Sequence, residues 1–243
     1  MKPAVGALLP VLFLTPAAAA DQFTPAQRAE IVQIMRDALK RDPGILREAI
    51  DALQAADAKQ REEASRAAIA ASRSSLIDPA DPVAGNPAGD VTIVEFFDAR
   101  CPYCKRLEPT MTEFLGHDPG VRLVYKDMPI LGAPSLLASK ALLAAQRQGG
   151  YEKLRDALMR GGSDVSKESI KAESERLGLD WSRLEHDMND PAIARRLDGN
   201  LQLARKLGIQ GTPALVVGDD LLPGAADLPE LQKAVAAARK EKG

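Results

Sequence analysis

The chain has 243 residues, with 32 basic and 34 acidic side chains and a formal net charge of −2. That near balance excludes a broad nucleic-acid surface, which needs a strongly basic face. Only two cysteines occur, Cys101 and Cys104, and two thiols so close together cannot staple distant parts of a fold.

The first twenty residues, MKPAVGALLPVLFLTPAAAA, carry Lys2, then an apolar core from Ala4 to Leu14, then the small residues Ala18-Ala19-Ala20. This is the pattern of a secretory signal peptide over residues 1–20. The apolar run is interrupted by Pro10 and falls short of the roughly 20 residues that span a bilayer. Cleavage after Ala20 leaves 243 − 20 = 223 residues, with 31 basic and 34 acidic side chains. The expected location is the periplasm, where disulfides form.

Residues 21–75 read as a helical stalk. Thr24 caps a first helix with Pro25 at its first position, and Ile31, Ile34, Met35, Ala38 and Leu39 make an apolar stripe. Asp42-Pro43 restarts the pattern, with Ile45, Leu46, Ala49, Ile50 and Leu53 on one face. Beyond Ala55 the composition turns to Ala, Lys, Arg and Glu with little to bury, as expected of a charged rod. Residues 76–89, rich in Pro and Gly, read as a linker.

From residue 90 to 243 the pattern is that of a mixed α/β domain. VTIVEFF (91–97) and VRLVYKDMP (121–129) are strands by their β-branched and aromatic content, with a helix opening at the cysteines between them and Pro109 inside it. Residues 134–207 return to helical patterning, with Asp190 capping the last helix and Gly208 stopping it. PALVVGD (213–219) is a third strand, LLPGA its hairpin partner, and Leu228–Lys240 a closing helix. The order is that of a small sheet interrupted by an inserted helical domain.

The two cysteines lie at the turn from strand to helix. A helix N-terminus favours an anion, and the thiolate is the form that attacks disulfides. Cys101 is therefore the expected nucleophile, and Cys104, one turn on and facing inward, the resolving thiol. Half of a zinc site is the competing reading, but four ligands are needed and only His117 and His186 remain. Two close thiolates also suit Cu(I), so Cys101 and Cys104 are candidate copper ligands as well.

VEFFDARCPYCKRLEP (94–109) and GIQGTPALVVGD (208–219) resemble the DsbA-like branch of the thioredoxin superfamily. The resemblance implies a thioredoxin fold with an inserted helical domain, no bound cofactor beyond a redox-active Cys101–Cys104 disulfide, and a cis peptide before Pro213. It also implies a substrate-binding surface made of Pro102, Tyr103, Thr212 and Pro213, and it makes Glu95, six residues before Cys101, the carboxylate that exchanges protons with Cys104. Lys126 is the expected charge partner of Glu95. Threonine at 212 is typical of isomerase-like members, and Pro102-Tyr103 departs from the Pro-His of the strong oxidases. The segment IVQIMRDALKRDPGILREAIDAL further resembles the N-terminal region of the suppressor-of-copper-sensitivity C (ScsC) and Com1-type proteins. Some of these are trimers held by that region and act as disulfide isomerases. The resemblance thus implies an exported disulfide isomerase or reductase, homotrimeric through residues 24–75 and possessing a link to copper tolerance. Its partners would be cysteine-containing exported proteins and a DsbD- or ScsB-like membrane donor. The alternatives are a DsbA-like oxidase served by a DsbB-like partner, and a Cu(I)-binding protein using the same thiols.

Overall fold

The structure, a computed structural model, describes residues 23–162 and 165–242. The signal-peptide reading over residues 1–20 lies outside the described residues. The chain divides after Ala58 into two compact units.

The first unit holds α1 (Pro25–Arg41) and the beginning of α2 (Gly44–Ala70). Thr24 and Gln27 cap α1 reciprocally: Gln27 N–H donates to the Thr24 hydroxyl at 3.3 Å, and Thr24 N–H donates to Gln27 Oε1 at 2.8 Å. This closes two of the orphan donors every helix start carries. The Asp42 N–H donates to Ala38 O, ending α1, while the Asp42 carboxylate accepts from Gly44 N–H at 2.9 Å. No residue of α1 is buried. Its stripe residues Ile34 and Met35, and Ile45, Leu46, Ile50 and Leu53 of α2, all stand exposed.

In the second unit, α3 (Arg73–Leu76) leads into a five-stranded sheet of order β1-β3-β2-β4-β5. Its strands are β1 (Val83–Gly85), β2 (Val91–Phe97), β3 (Val121–Asp127), β4 (Ala214–Val217) and β5 (Asp220–Pro223). β2 and β3 run parallel and every other pairing is antiparallel. The parallel pair requires a crossover, and α4 (Pro102–His117) supplies it. Five helices follow β3: α5 (Ala133–Gln146), α6 (Tyr151–Arg160), α7 (Lys167–Arg176), α8 (Trp181–Asp187) and α9 (Pro191–Lys206), with α10 (Leu228–Lys242) closing the chain. Asp190 accepts from Ala192 N–H at 2.8 Å to start α9, and Gly208 leaves it at a φ of +73°, the left-handed step that glycine takes without strain. Gly218, at φ +62°, makes the two-residue turn between β4 and β5.

Alternation along the strands builds two cores. Ile93, Phe97, Leu123, Tyr125 and Leu215 join the cluster formed with α4, α10 and the inserted helices. Val94, Phe96, Val124 and Val216 join the other, against Ile69 of α2, Leu76 of α3 and Leu203, Ala204 and Leu207 near the end of α9. Two readings from sequence are corrected here. The stretch beyond Ala55 is not without apolar contacts, because Ile69 and Leu76 are sealed in this second core. The segment 76–89 is not purely a linker, because Val83–Gly85 pairs with Val124, Leu123 and Arg122 as the sheet's edge strand.

Candidate active site

Cys101 is the N-cap of α4, in extended backbone, and Pro102 takes the first helical position. Proline costs nothing there, since the first N–H groups of a helix have no intrahelical acceptor. The Cys101 N–H donates to Asp98 O at 2.9 Å and the Cys101 carbonyl accepts from Lys105 N–H at 3.1 Å. Helical spacing then places Cys104, Leu107, Met111 and Phe114 on the buried face. Cys104 has no exposed surface, whereas Cys101 keeps 5%. Both are free thiols, and that of Cys101 donates to the Thr212 carbonyl at 3.2 Å. The Thr212–Pro213 peptide is cis. Pro102 and Tyr103 are exposed beside the pair, with the Arg106 guanidinium 4.9 Å above the Tyr103 ring.

Asp98 fixes this turn to its neighbour. Fully buried, it accepts from Arg100 N–H on one oxygen at 2.8 Å, and from Ile130 and Leu131 N–H on the other at 2.9 and 3.1 Å. Lys105 tethers the other flank, donating to Gly161 and Gly162 carbonyls at 2.7 and 2.9 Å.

Below the cysteines, Glu95 of β2 is buried at 1% exposure. One of its oxygens accepts from Arg155 Nη2 at 3.2 Å; the other makes no hydrogen bond. Burial raises its carboxyl to about 7, opposed by the Arg155 charge and reinforced by Glu108. Burial pushes the Cys104 thiol well above its ordinary value, and the negative charges of Glu95 and Cys101 push the same way, against hydrogen bonds from the Asp98 backbone and Thr212. Cys104 is thus held as a neutral thiol, and the charge of Glu95, a carboxyl of near-neutral affinity, acts on it. Among the described residues no group of three or more His, Cys, Asp or Glu could hold a metal. Cys101 and Cys104 by themselves offer two sulfur donors.

Residues 92–236 match the DsbA-like thioredoxin domain. The chain belongs to the DsbA-like thioredoxin family. Residues 27–60 match the N-terminal domain of copper resistance protein ScsC. A thioredoxin-like oxidoreductase from Silicibacter pomeroyi is 45% identical with a TM-score of 0.67, over 69% of this chain and 98% of that one. Proteus mirabilis ScsC in a transitional conformation is 32% identical with a TM-score of 0.66, over 90% of this chain and 100% of that one. Among curated relatives, a Na(+)/H(+) antiporter NhaA of Salinispora tropica is 30% identical over 169 residues, yet the chain spans only 26% of that protein's length.

In this DsbA-like chain the structure brings Cys101, Cys104, Glu95 and the cis Thr212–Pro213 peptide to one place, and it does not bring Lys126 there. In the parallel β2–β3 register Glu95 stands beside Tyr125, and Lys126 beside Phe96, so the two point to opposite faces of the sheet. Lys126 instead donates to Asp81 Oδ2 at 2.5 Å and to Ser75 O at 2.6 Å. The partner of Glu95 is Arg155, missed from sequence. Its signal was present: Arg155 falls between Leu154 and Leu158 on the buried stripe of α6, where a charge needs a partner. Glu108, one helical turn after Cys104, accepts from Arg155 Nη1 at 2.8 Å. It carried no signal of its own.

Proposed function

We propose that the chain is an exported thiol–disulfide oxidoreductase that shuffles or reduces disulfides of other exported proteins, working as a trimer through its N-terminal helices. The observation that carries this reading is the pair itself: a nucleophile at a helix start, 3.2 Å from the Thr212 carbonyl, with its partner thiol buried over a carboxyl raised to about 7. The Cys101 thiolate attacks a substrate disulfide, forming a mixed disulfide and releasing one substrate thiolate. Glu95 takes the Cys104 proton, Cys104 attacks Cys101, the Cys101–Cys104 bond forms, and the second substrate thiolate leaves. The substrate gains two electrons and the pair loses them. Alternatively the released substrate thiol attacks the mixed disulfide, returns Cys101 and leaves the substrate isomerised. A membrane electron donor of the DsbD or ScsB kind keeps the pair reduced.

The periplasmic location rests on the leader pattern of residues 1–20 and on the family. No helix of the described residues is long and apolar enough to cross a membrane. The trimer rests on the ScsC-like match over residues 27–60 and on the exposed apolar stripes there. The deciding experiment is trapping of the redox state of Cys101–Cys104 in the periplasm of the native host, with reduction of insulin by wild type, Cys101→Ser and Cys104→Ser. A mostly reduced pair, and activity lost with Cys101→Ser, is the expected result. A mostly oxidised pair assigns the chain to oxidation, and full activity without Cys101 removes the pair from the chemistry.

A further inference from the structure

Arg155 is the largest fully buried side chain among the described residues, with 1% exposure. A buried guanidinium is costly unless its charge is paired, and here both Nη atoms are engaged while Nε makes no hydrogen bond. Its Nη2 donates to Glu95 at 3.2 Å and its Nη1 to Glu108 at 2.8 Å. The guanidinium carbon lies 4.0 Å from the Tyr125 ring centroid and 4.8 Å from that of Phe97, within cation–π range. Arg155 comes from α6 of the inserted helices, Glu95 from β2, and Glu108 from the cysteine helix α4. One fixed cation therefore joins the helical insertion to both elements of the redox site. Glu95 is sealed, but Glu108 keeps 22% of its side chain exposed, so only one of the two carboxylates competing for Arg155 has solvent as an alternative.

We propose that Arg155 is the positioning residue of Glu95, and that Glu108 divides the same guanidinium with it, so that this bridge governs whether Glu95 is charged when Cys104 attacks. The proposal rests on the reading of Glu95 as the proton acceptor. It assigns the inserted helices a part in the chemistry beyond covering the sheet. The electrostatic signs agree: Arg155 lowers the Glu95 affinity for its proton and Glu108 raises it. Other titratable groups face the cluster. Cys104 and Cys101 lie above on α4, Tyr125 stands beside Glu95 on β3, and Asp127, Tyr151, Glu152 and Asp156 surround Arg155 from the end of β3 and from α6. Burial holds the two tyrosines neutral across the working range, and Glu152 and Asp156 lie on the outer, partly exposed side. None of these four donates a hydrogen bond to Glu95, and Asp127, which titrates over the same range, is bonded to Tyr151, which leaves Arg155 and Glu108 as the neighbours whose charges act on Glu95.

The test mixes the reduced full-length chain with a fluorescent peptide disulfide across pH 5–9 and follows the slower, concentration-independent phase, in which Cys104 displaces the peptide from Cys101. In the wild type this rate rises with pH through an inflection owed to Glu95. Arg155→Met should move that inflection upward by about 1 unit or more, as loss of an adjacent opposite charge does. Glu108→Gln should move it downward, because Arg155 then serves Glu95 alone. Arg155→Lys, which keeps the charge but lacks the planar fork that reaches both carboxylates, should fall between wild type and Met. A merely structural arginine would change rates without moving the two inflections in opposite directions. Glu95→Gln separates the layers. If it leaves the profile unchanged, the reading of Glu95 itself fails. If it erases the inflection while Arg155→Met and Glu108→Gln leave theirs at the wild-type position, only the present proposal is overturned. Should Arg155→Met fail to fold, Glu108→Gln, at a partly exposed site, decides alone.

Discussion

Asp127 closes β3 with a second buried carboxyl, raised to about 7 by burial against hydrogen bonds from Tyr151 and Ser139. Tyr151 Oη donates to it at 2.8 Å. Because its folded affinity for the proton exceeds the unfolded one, the native state holds a proton between about pH 4 and 7 that the unfolded chain has released. Stability therefore falls as pH rises through that window. Glu95 contributes with the same sign, from 4.5 to about 7. Asp127→Asn keeps an acceptor for Tyr151 and offers its amide to Ser139. We expect it to raise stability at pH 8 by about 2 kcal/mol, part of what about 1.4 kcal/mol per pH unit would give over that range, and to flatten the decline between pH 4 and 7. Urea unfolding at pH 5 and pH 8 measures both, and an unchanged slope would mean that Asp127 releases its proton at the same pH folded as unfolded. Residues of this kind mark the limit of sequence reading. Cys101 and Cys104 were legible because their signal is local, a spacing at a strand-to-helix turn, whereas Thr212-Pro213 came with the family resemblance. Glu95 came with the family pattern. Arg155 and Asp127 draw their meaning from chain 60 and 24 residues away, and one wrong choice of strand face assigned Lys126 to the wrong carboxylate.

Lys126, through Asp81, anchors the chain just before an element that the sequence reading passed over. β1 is three residues long and flanked by Pro82 and Asn86, too short for periodicity to reveal. The segment before it is pinned from below: Asp81 binds Lys126 at 2.5 Å and Arg196 of α9 at 2.8 Å, with the Asp81 and Lys126 side chains 2% and 3% exposed. Asp81 Oδ2 also accepts from Asp78 N–H at 3.1 Å. Asp81→Asn leaves the Lys126 ammonium buried without its counter-ion, and loss of one partner of such a pair costs about 3–5 kcal/mol. Asp81→Asn with Lys126→Met should cost less than the sum of the single changes. A single-variant cost below about 1 kcal/mol in urea unfolding would show that solvent reaches the pair. Longer elements were read almost to the residue. β2 begins and ends where VTIVEFF does, and α9 stops at Gly208 as its glycine required.

At the scale of the whole molecule, the question is where the chain can be cut. The apolar stripe of residues 31–53 is exposed within its own unit, with Ile34 at 61% and Leu53 at 62%, and covering each such side chain is worth roughly 1.5–3 kcal/mol. Association through this unit satisfies that surface, and the full-length mature chain is expected to sediment as a trimer. A cut at Leu76, which the linker reading favours, would sever Ile69 from Val94, Phe96, Val124 and Val216 and remove the Ser75 carbonyl from Lys126. Deleting one fully buried aliphatic side chain alone costs about 2–5 kcal/mol. A chain starting at Lys59, at the division between the units, retains all of these contacts. It should therefore be a folded monomer with a urea midpoint close to that of the full chain, whereas the chain starting at Leu76 should unfold at distinctly lower urea. The Lys59 chain should reduce insulin at the wild-type rate per site, because Cys101, Cys104, Glu95 and Arg155 are all retained. It should lose most of its ability to rescue a scrambled disulfide substrate, since shuffling gains from several thiolates held around one polypeptide at high effective concentration. Sedimentation and a scrambled-ribonuclease assay on the two chains decide it. Full-length chain sedimenting as a monomer, or undiminished shuffling by the Lys59 chain, would remove the N-terminal helices from the function proposed for them.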